Sequence, residues 1–115
     1  MRRGDICIAD LDPHVGAEAS KSRPVVVVSN DGANIAVQRS RRGVVTVVPL
    51  TSNTERVHPF QVLLPAEATG LAYASKAQAE QVRSVSALRL GPVVATLPTF
   101  LVERLDEALR LHLAL

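Results

Sequence analysis

The chain has 115 residues, 47% of them hydrophobic and 21% charged, a balance that excludes wholesale disorder and makes a single domain over 1–115 the expectation. A formal net charge of +2 is too small to indicate a nucleic-acid partner by itself, and aromatic content of 3% leaves only Phe60, Tyr73 and Phe100, which excludes a surface gripping many bases by stacking. One cysteine, Cys7, excludes an internal disulfide and a multi-cysteine metal site.

DICIAD at 5–10 alternates Ile6 and Ile8 with Cys7 and Ala9 and is expected to be a strand. LDPHVGAEASKS at 11–22 is polar, with proline and glycine, and reads as a long loop. Loops of that length in small domains are more often functional than decorative. Residues 23–29 form the second expected strand, whose four consecutive valines point to burial on both faces. Pro24 drives Arg23 towards extended backbone, and Asn30-Asp31-Gly32 ends the strand.

A short helical turn is expected over 31–38, and QRSRRG at 38–43 reads as a solvated hairpin tip. VVTVVPL at 44–50 is a third strand, TSNTERVHP at 51–59 a loop, and FQVLLP at 60–65 a fourth strand. EATGLAYAS at 67–75 reads as another loop and KAQAEQVRSV at 76–85 as a fifth strand. A helical turn over Ser86 to Leu90 and a last strand at 91–97 follow.

From Pro98 onward, Leu101, Leu105, Ala108, Leu109 and His112 recur at helical spacing on one stripe. Pro98 suits a first turn, and Asp106 and Arg110 are spaced to pair. Short strands followed by one amphipathic helix give a mainly β class: a small, strongly curved antiparallel barrel or sheet with the helix packed on it. No apolar run approaches the ~20 residues of a membrane-spanning helix. Asp5 and Asp10 break the stretch after Met1-Arg2-Arg3, so a cytoplasmic protein is expected.

No glycine-rich phosphate loop, metal-spaced histidine cluster or nucleophile elbow is present, and His14, His58 and His112 lie far apart. The remaining chemistry is polar residues at strand ends: Glu18, Lys21, Ser22 and Arg23; Thr51, Ser52 and Asn53; Gln78, Glu80, Gln81 and Arg83. Such positions converge at one rim of a small barrel, where they would take an anionic ligand. Each also has a plainer reading. Glu18 would be a solvated loop acid, Arg23 the partner of a carboxylate, and Thr51-Ser52-Asn53 a self-bonded turn. Glu80 and Arg83 would be a surface ion pair.

RRGDICIADLDP at 2–13, GAEASKSRPVVVVSND at 16–31, VPLTSN at 48–53, PFQVLLP at 59–65 and AEQVRSV at 79–85 together resemble the MazF/PemK family. These are toxins of bacterial toxin–antitoxin pairs that act as sequence-specific endoribonucleases. The resemblance implies an SH3-like barrel with a C-terminal helix, usually a homodimer. It gives Arg23 a catalytic part and Thr51 the role of its hydroxyl partner; it also implies catalytic parts for Glu18, matching a loop glutamate of some members, and Glu80, matching an acid of the PemK branch, either of which would accept the 2′-OH proton. Ser52, Gln81 and Arg83 would line the RNA groove, with Lys21, Asn53 and Gln78 as further RNA contacts. Ala17 stands where PemK-type members can carry histidine, Gln78 where that branch has arginine, and Cys7 where an aromatic is common.

The implied reaction is cleavage of single-stranded RNA without metal or other cofactor. The 2′-OH attacks the adjacent phosphorus, leaving 2′,3′-cyclic phosphate and 5′-OH ends. The implied partner is an antitoxin whose acidic, hydrophobic tail competes with RNA for Arg23 and Arg83. The alternatives are a gyrase poison of the related CcdB type and a non-catalytic RNA-binding module.

Overall fold

The computed structural model describes residues 1–115. The chain forms seven strands and three α-helices. The strands are β1 (Asp5–Asp10), β2 (Ser22–Val27), β3 (Val44–Thr51), β4 (Gln61–Leu64), β5 (Ser75–Gln78), β6 (Arg83–Ser86) and β7 (Leu90–Thr96). The helices are α1 (Asp31–Ser40), α2 (Ala66–Thr69) and α3 (Thr99–Leu113). Every strand pairing is antiparallel, in the order β4-β5-β3-β2-β1-β7, with β6 also on β3. No helix is long and apolar enough to cross a membrane.

The valine run does what its pattern implies. Val26, with Val48 and Leu50 of β3, enters a core closed by Leu101, Leu105 and Leu109 of α3. Val25 and Val27, with Val45 and Val47, enter a second core with Val37 of α1. Alternate residues of β2 and β3 therefore feed opposite faces, and the central strands are buried on both.

Several sequence expectations need correction. The strand expected over 76–85 is two strands, β5 and β6, joined by a 3-10 turn at Ala79–Gln81. Both pair with the same edge of β3. β6 takes Val44 to Val47, and β5 takes Leu50 and Thr51. The turn lets one strand path follow the curl of the sheet. The helical turn expected over 31–38 is a ten-residue helix. The Asn30 side chain caps it by accepting from the Ala33 amide at 2.8 Å, and Arg41 ends it in left-handed conformation. Arg39, Arg41 and Arg42 thus belong to a helix end rather than a hairpin tip.

α3 begins directly after Pro98, where the sequence places it, but two of its side chains behave differently. Asp106 pairs with Arg3 at 2.5 Å rather than with Arg110, tying the N-terminal segment to α3. Arg3 also donates to the Val28 carbonyl at 2.9 Å. His112, on the apolar stripe by spacing, is exposed and lies beside Phe60. Cys7 is buried, and desolvation followed by the nearby Asp5 charge pushes its thiol pKa up, so it stays protonated and inert.

Candidate active site

The antiparallel order β2-β3-β5 brings the start of β2, the end of β3 and the start of β5 to one end of the sheet. Val25 lies opposite Pro49. Continuing that register two residues places Arg23 opposite Thr51, while Thr51 itself pairs with Lys76. On its other side Arg23 neighbours Ala9 of β1, whose small side chain leaves room.

A cleft of about 340 Å³ opens there. One wall is Lys21, Ser22, Arg23 and Pro24; the end of β3 adds Leu50, Thr51 and Ser52. The third side is the segment leading into β5, with Leu71, Ala72 and Tyr73, and Ser75 at the start of the strand. The lining includes two cations and several hydroxyls but no carboxylate, imidazole or thiol. Such a surface suits an anion.

Arg23 is half-buried, and its Nε donates to the Ser20 carbonyl at 2.8 Å. The two ion pairs in the structure are Arg3–Asp106 and Asp12–His14, so no carboxylate neutralises Arg23. The plainer reading, an arginine consumed by an internal ion pair, is excluded.

Lys21 sits beside it in left-handed backbone, φ 65°. That conformation costs a non-glycine residue ~1 kcal/mol or more. Two backbone bonds hold it: the Lys21 amide donates to Asp12 Oδ1 at 2.9 Å, and its carbonyl accepts from Leu11 at 3.0 Å. The Lys21 amide, followed by His14, holds the Asp12 carboxyl below the usual carboxylate range. The exit of the 11–22 loop is therefore built rather than loose.

Thr51 is half-buried, and its Oγ1 accepts from the Asn53 amide at 3.3 Å, while Asn53 Oδ1 accepts from the Glu55 amide at 3.3 Å. The Thr51-Ser52-Asn53 turn is thus self-bonded, and Thr51 still reaches the cleft. Ser52 and Asn53 are exposed.

The other site residues read from the sequence stand apart from this cleft. Glu18 is exposed on the 11–22 loop and does not line it. Glu80, in the 3-10 turn, accepts from Gln61 Nε2 at 2.5 Å, and its other oxygen is buried without a partner. Gln78 likewise buries an unpartnered Oε1. Gln81 spans the 11–22 loop: its Oε1 accepts from the Ala19 amide at 3.1 Å and its Nε2 donates to the Ala17 carbonyl at 3.0 Å. Both functions of that amide are committed to the backbone on either side of Glu18. Arg83 is half-exposed on β6 and makes no ion pair.

Leu71, Ala72, Tyr73 and Ser75, in a stretch read only as a loop, are cleft residues that sequence reasoning missed. The signal lay in strand pairing. Once β5 is set against the end of β3, residues just before β5 must flank Thr51. No cluster of three or more histidine, cysteine, aspartate or glutamate side chains stands together anywhere in the molecule.

The chain matches the family described as PemK-like, MazF-like toxin of type II toxin–antitoxin system over residues 2–113. It is 55% identical to endoribonuclease MazF9 of Mycobacterium tuberculosis, across 100% of this chain and 98% of the relative. It is 32% identical to endoribonuclease EndoA of Bacillus subtilis, across 100% and 96%. Among solved structures, MazF from Deinococcus radiodurans superposes with a TM-score of 0.83 at 24% identity, covering 100% of this chain and 97% of that one. Mycobacterium tuberculosis toxin MazF-mt6 superposes at 0.76 with 26% identity, covering 96% and 97%.

Proposed function

The chain belongs to the PemK-like, MazF-like toxins of type II toxin–antitoxin systems, and from that premise we propose how its cleft cuts RNA. The protein is an endoribonuclease toxin. The substrate is single-stranded RNA, cut sequence-specifically. The 2′-OH of one nucleotide attacks the adjacent phosphorus and the 5′-oxygen leaves, giving a 2′,3′-cyclic phosphate and a 5′-OH. The observation that carries this reading is Arg23: a guanidinium with no carboxylate partner, beside Thr51, in a cleft lined by no acid.

The pentavalent phosphorane gathers negative charge on its non-bridging oxygens. Arg23 meets that charge with a planar fork able to hold two oxygens at once. Thr51 adds a neutral hydrogen bond to the same charge. Because the Ser20 carbonyl and the buried valines already fix Arg23, little reorganisation accompanies the reaction.

We assign the 2′-OH proton acceptor to Glu18, which stands outside the cleft lining and would act on the bound RNA from its rim. It is exposed on the loop that supplies the Lys21–Ser22 wall, and Gln81 braces its two neighbours. Glu80 is engaged with Gln61 and supports the turn between β5 and β6. Lys21, Ser52 and Asn53 contact the RNA around the cleft, and Arg83 extends its cationic surface. Gln78 and Gln81 act through the framework. The donor set of the cleft suits a reaction driven by fixed cations and hydroxyls, without a metal.

The working form is a homodimer, and the partner is an antitoxin whose acidic, hydrophobic tail lies across Arg23 and Arg83. Incubating the purified chain with a defined RNA in EDTA, then reading the fragment ends, tests the chemistry. Cleavage with a 5′-OH on the downstream fragment is expected. A 5′-phosphate would be incompatible with 2′-OH attack, and intact RNA beside a poisoned gyrase would return the CcdB-type alternative.

A further inference from the structure

Tyr73 is 75% exposed, yet it stands on a segment anchored at both ends. Gly70, at φ 79°, ends α2 in the left-handed conformation that a Cβ disfavours and turns the chain towards the cleft. The Leu71 amide donates to Thr69 Oγ1 at 3.1 Å, and Leu71 packs on the main core. Ser75 then starts β5 and is buried. Only three residues separate those anchors, so the tyrosine is presented on a short tether.

No other ring stacks on Tyr73, no cation sits over it, and its side chain makes no hydrogen bond. The other two aromatics are engaged elsewhere: Phe60 with His58 and His112, Phe100 with Arg104. Tyr73 is thus the one aromatic lining the cleft, and it shares that cleft with Arg23, Lys21 and Thr51. An exposed ring gains nothing for the core. Beside a cationic cleft of about 340 Å³ whose lining also includes Pro24, Leu50 and Leu71, it has the composition of a single-strand binding surface: charge for the backbone and one π-face for a base.

We propose that Tyr73 is a nucleobase-stacking subsite, holding the base next to the phosphate that Arg23 engages. The inference rests on the RNA-cleaving reading and extends it. Every base has a π-face, so Tyr73 contributes affinity and leaves the choice of cleavage sequence to hydrogen-bonding groups.

The test uses the sequence itself. The chain has one tyrosine and no tryptophan, so incorporation of 3-fluorotyrosine gives a single ¹⁹F resonance. The probe is a mixed-sequence, single-stranded oligoribonucleotide carrying 2′-fluoro groups, which binds but lacks the nucleophile. That resonance is expected to shift on saturation. Tyr73→Ala is expected to weaken binding roughly ten-fold, with Tyr73→Phe within about two-fold of wild type. The slope of affinity against salt should stay unchanged in both, because no phosphate contact is lost. An unmoved resonance at saturation, or Tyr73→Ala binding as tightly as wild type, would overturn the subsite. A shift in a protein that fails to cut unmodified RNA would uphold the subsite and remove the nuclease reading. Cleavage without a shift would do the reverse.

Discussion

Arg23 donates its Nε–H to the carbonyl oxygen of Ser20 at 2.8 Å. The acceptor belongs to the loop and the donor to β2, so the guanidinium and the loop exit form one unit. The bond occupies the Nε edge and leaves both Nη groups available. Arg23 can therefore be held stiffly while its charge remains uncommitted, the condition a phosphate-binding arginine has to meet.

Thr51→Val keeps the shape of the side chain and removes its hydroxyl. Loss of one hydrogen bond to developing charge should lower kcat by roughly 10²-fold, with KM little changed. Thr51→Ser should retain most activity. The Asn53 amide also loses an acceptor in the valine variant, but it is exposed and water replaces it. A single-turnover assay on one RNA checks the split, and a valine variant as fast as wild type would remove Thr51 from the site.

Gln81→Leu removes both bonds that brace the 11–22 loop. About 1 kcal/mol of stability per bond is at stake. The loop should open locally, seen as faster hydrogen exchange at the Ala19 amide, while α3 amides stay protected. Cleavage should fall through misplacement of Glu18, so Gln81→Leu and Glu18→Gln should not be additive. Additive losses would separate Gln81 from Glu18.

Asp12 sets the acid limit of the same loop. Its carboxyl is held below its ordinary range by the Lys21 amide first and by His14 next. A carboxylate depressed in the folded state stabilises above its unfolded pKa and loses that stabilisation as pH falls through the folded value. The Lys21 amide resonance should therefore hold steady as pH falls through the usual carboxylate range and move only below it. Asp12→Asn should abolish that titration. Movement at the ordinary carboxylate range would show that Asp12 is unbonded in solution.

How far the sequence disclosed these features depended on how local each one is. β1, β2, β3 and α3 carry their pattern in consecutive residues, and each was legible. α1 was underestimated because it buries little: Asn34 and Val37 are its buried residues, and the first is polar. Asn34 is satisfied only through Ser29, whose carbonyl accepts from Asn34 Nδ2 at 2.8 Å, a bond across the β2–α1 corner that no periodicity encodes. The break between β5 and β6 carries no glycine or proline and arises from the curl of β3.

The site divides along the same line. Arg23 and Thr51 were legible because the resemblance fell on them and the strand register then joined them. Glu80 and Gln81 share a segment with Arg83 in sequence, but the 3-10 turn aims the first at Gln61 and the second at the loop backbone. Tyr73 needed the β3–β5 pairing, which links residues about 25 positions apart and is set by long-range sheet formation rather than local pattern.

The most direct measurement compares wild type, Arg23→Ala and Arg23→Lys on one defined RNA, with circular dichroism and thermal unfolding run alongside. Arg23→Ala should fold as wild type and lose roughly 10³-fold or more in cleavage. Arg23→Lys should recover little of it, because an ammonium keeps the charge and loses the two-pronged geometry. A folded Arg23→Ala protein that cuts the RNA at the wild-type rate would contradict the assignment of the cleft as the catalytic site.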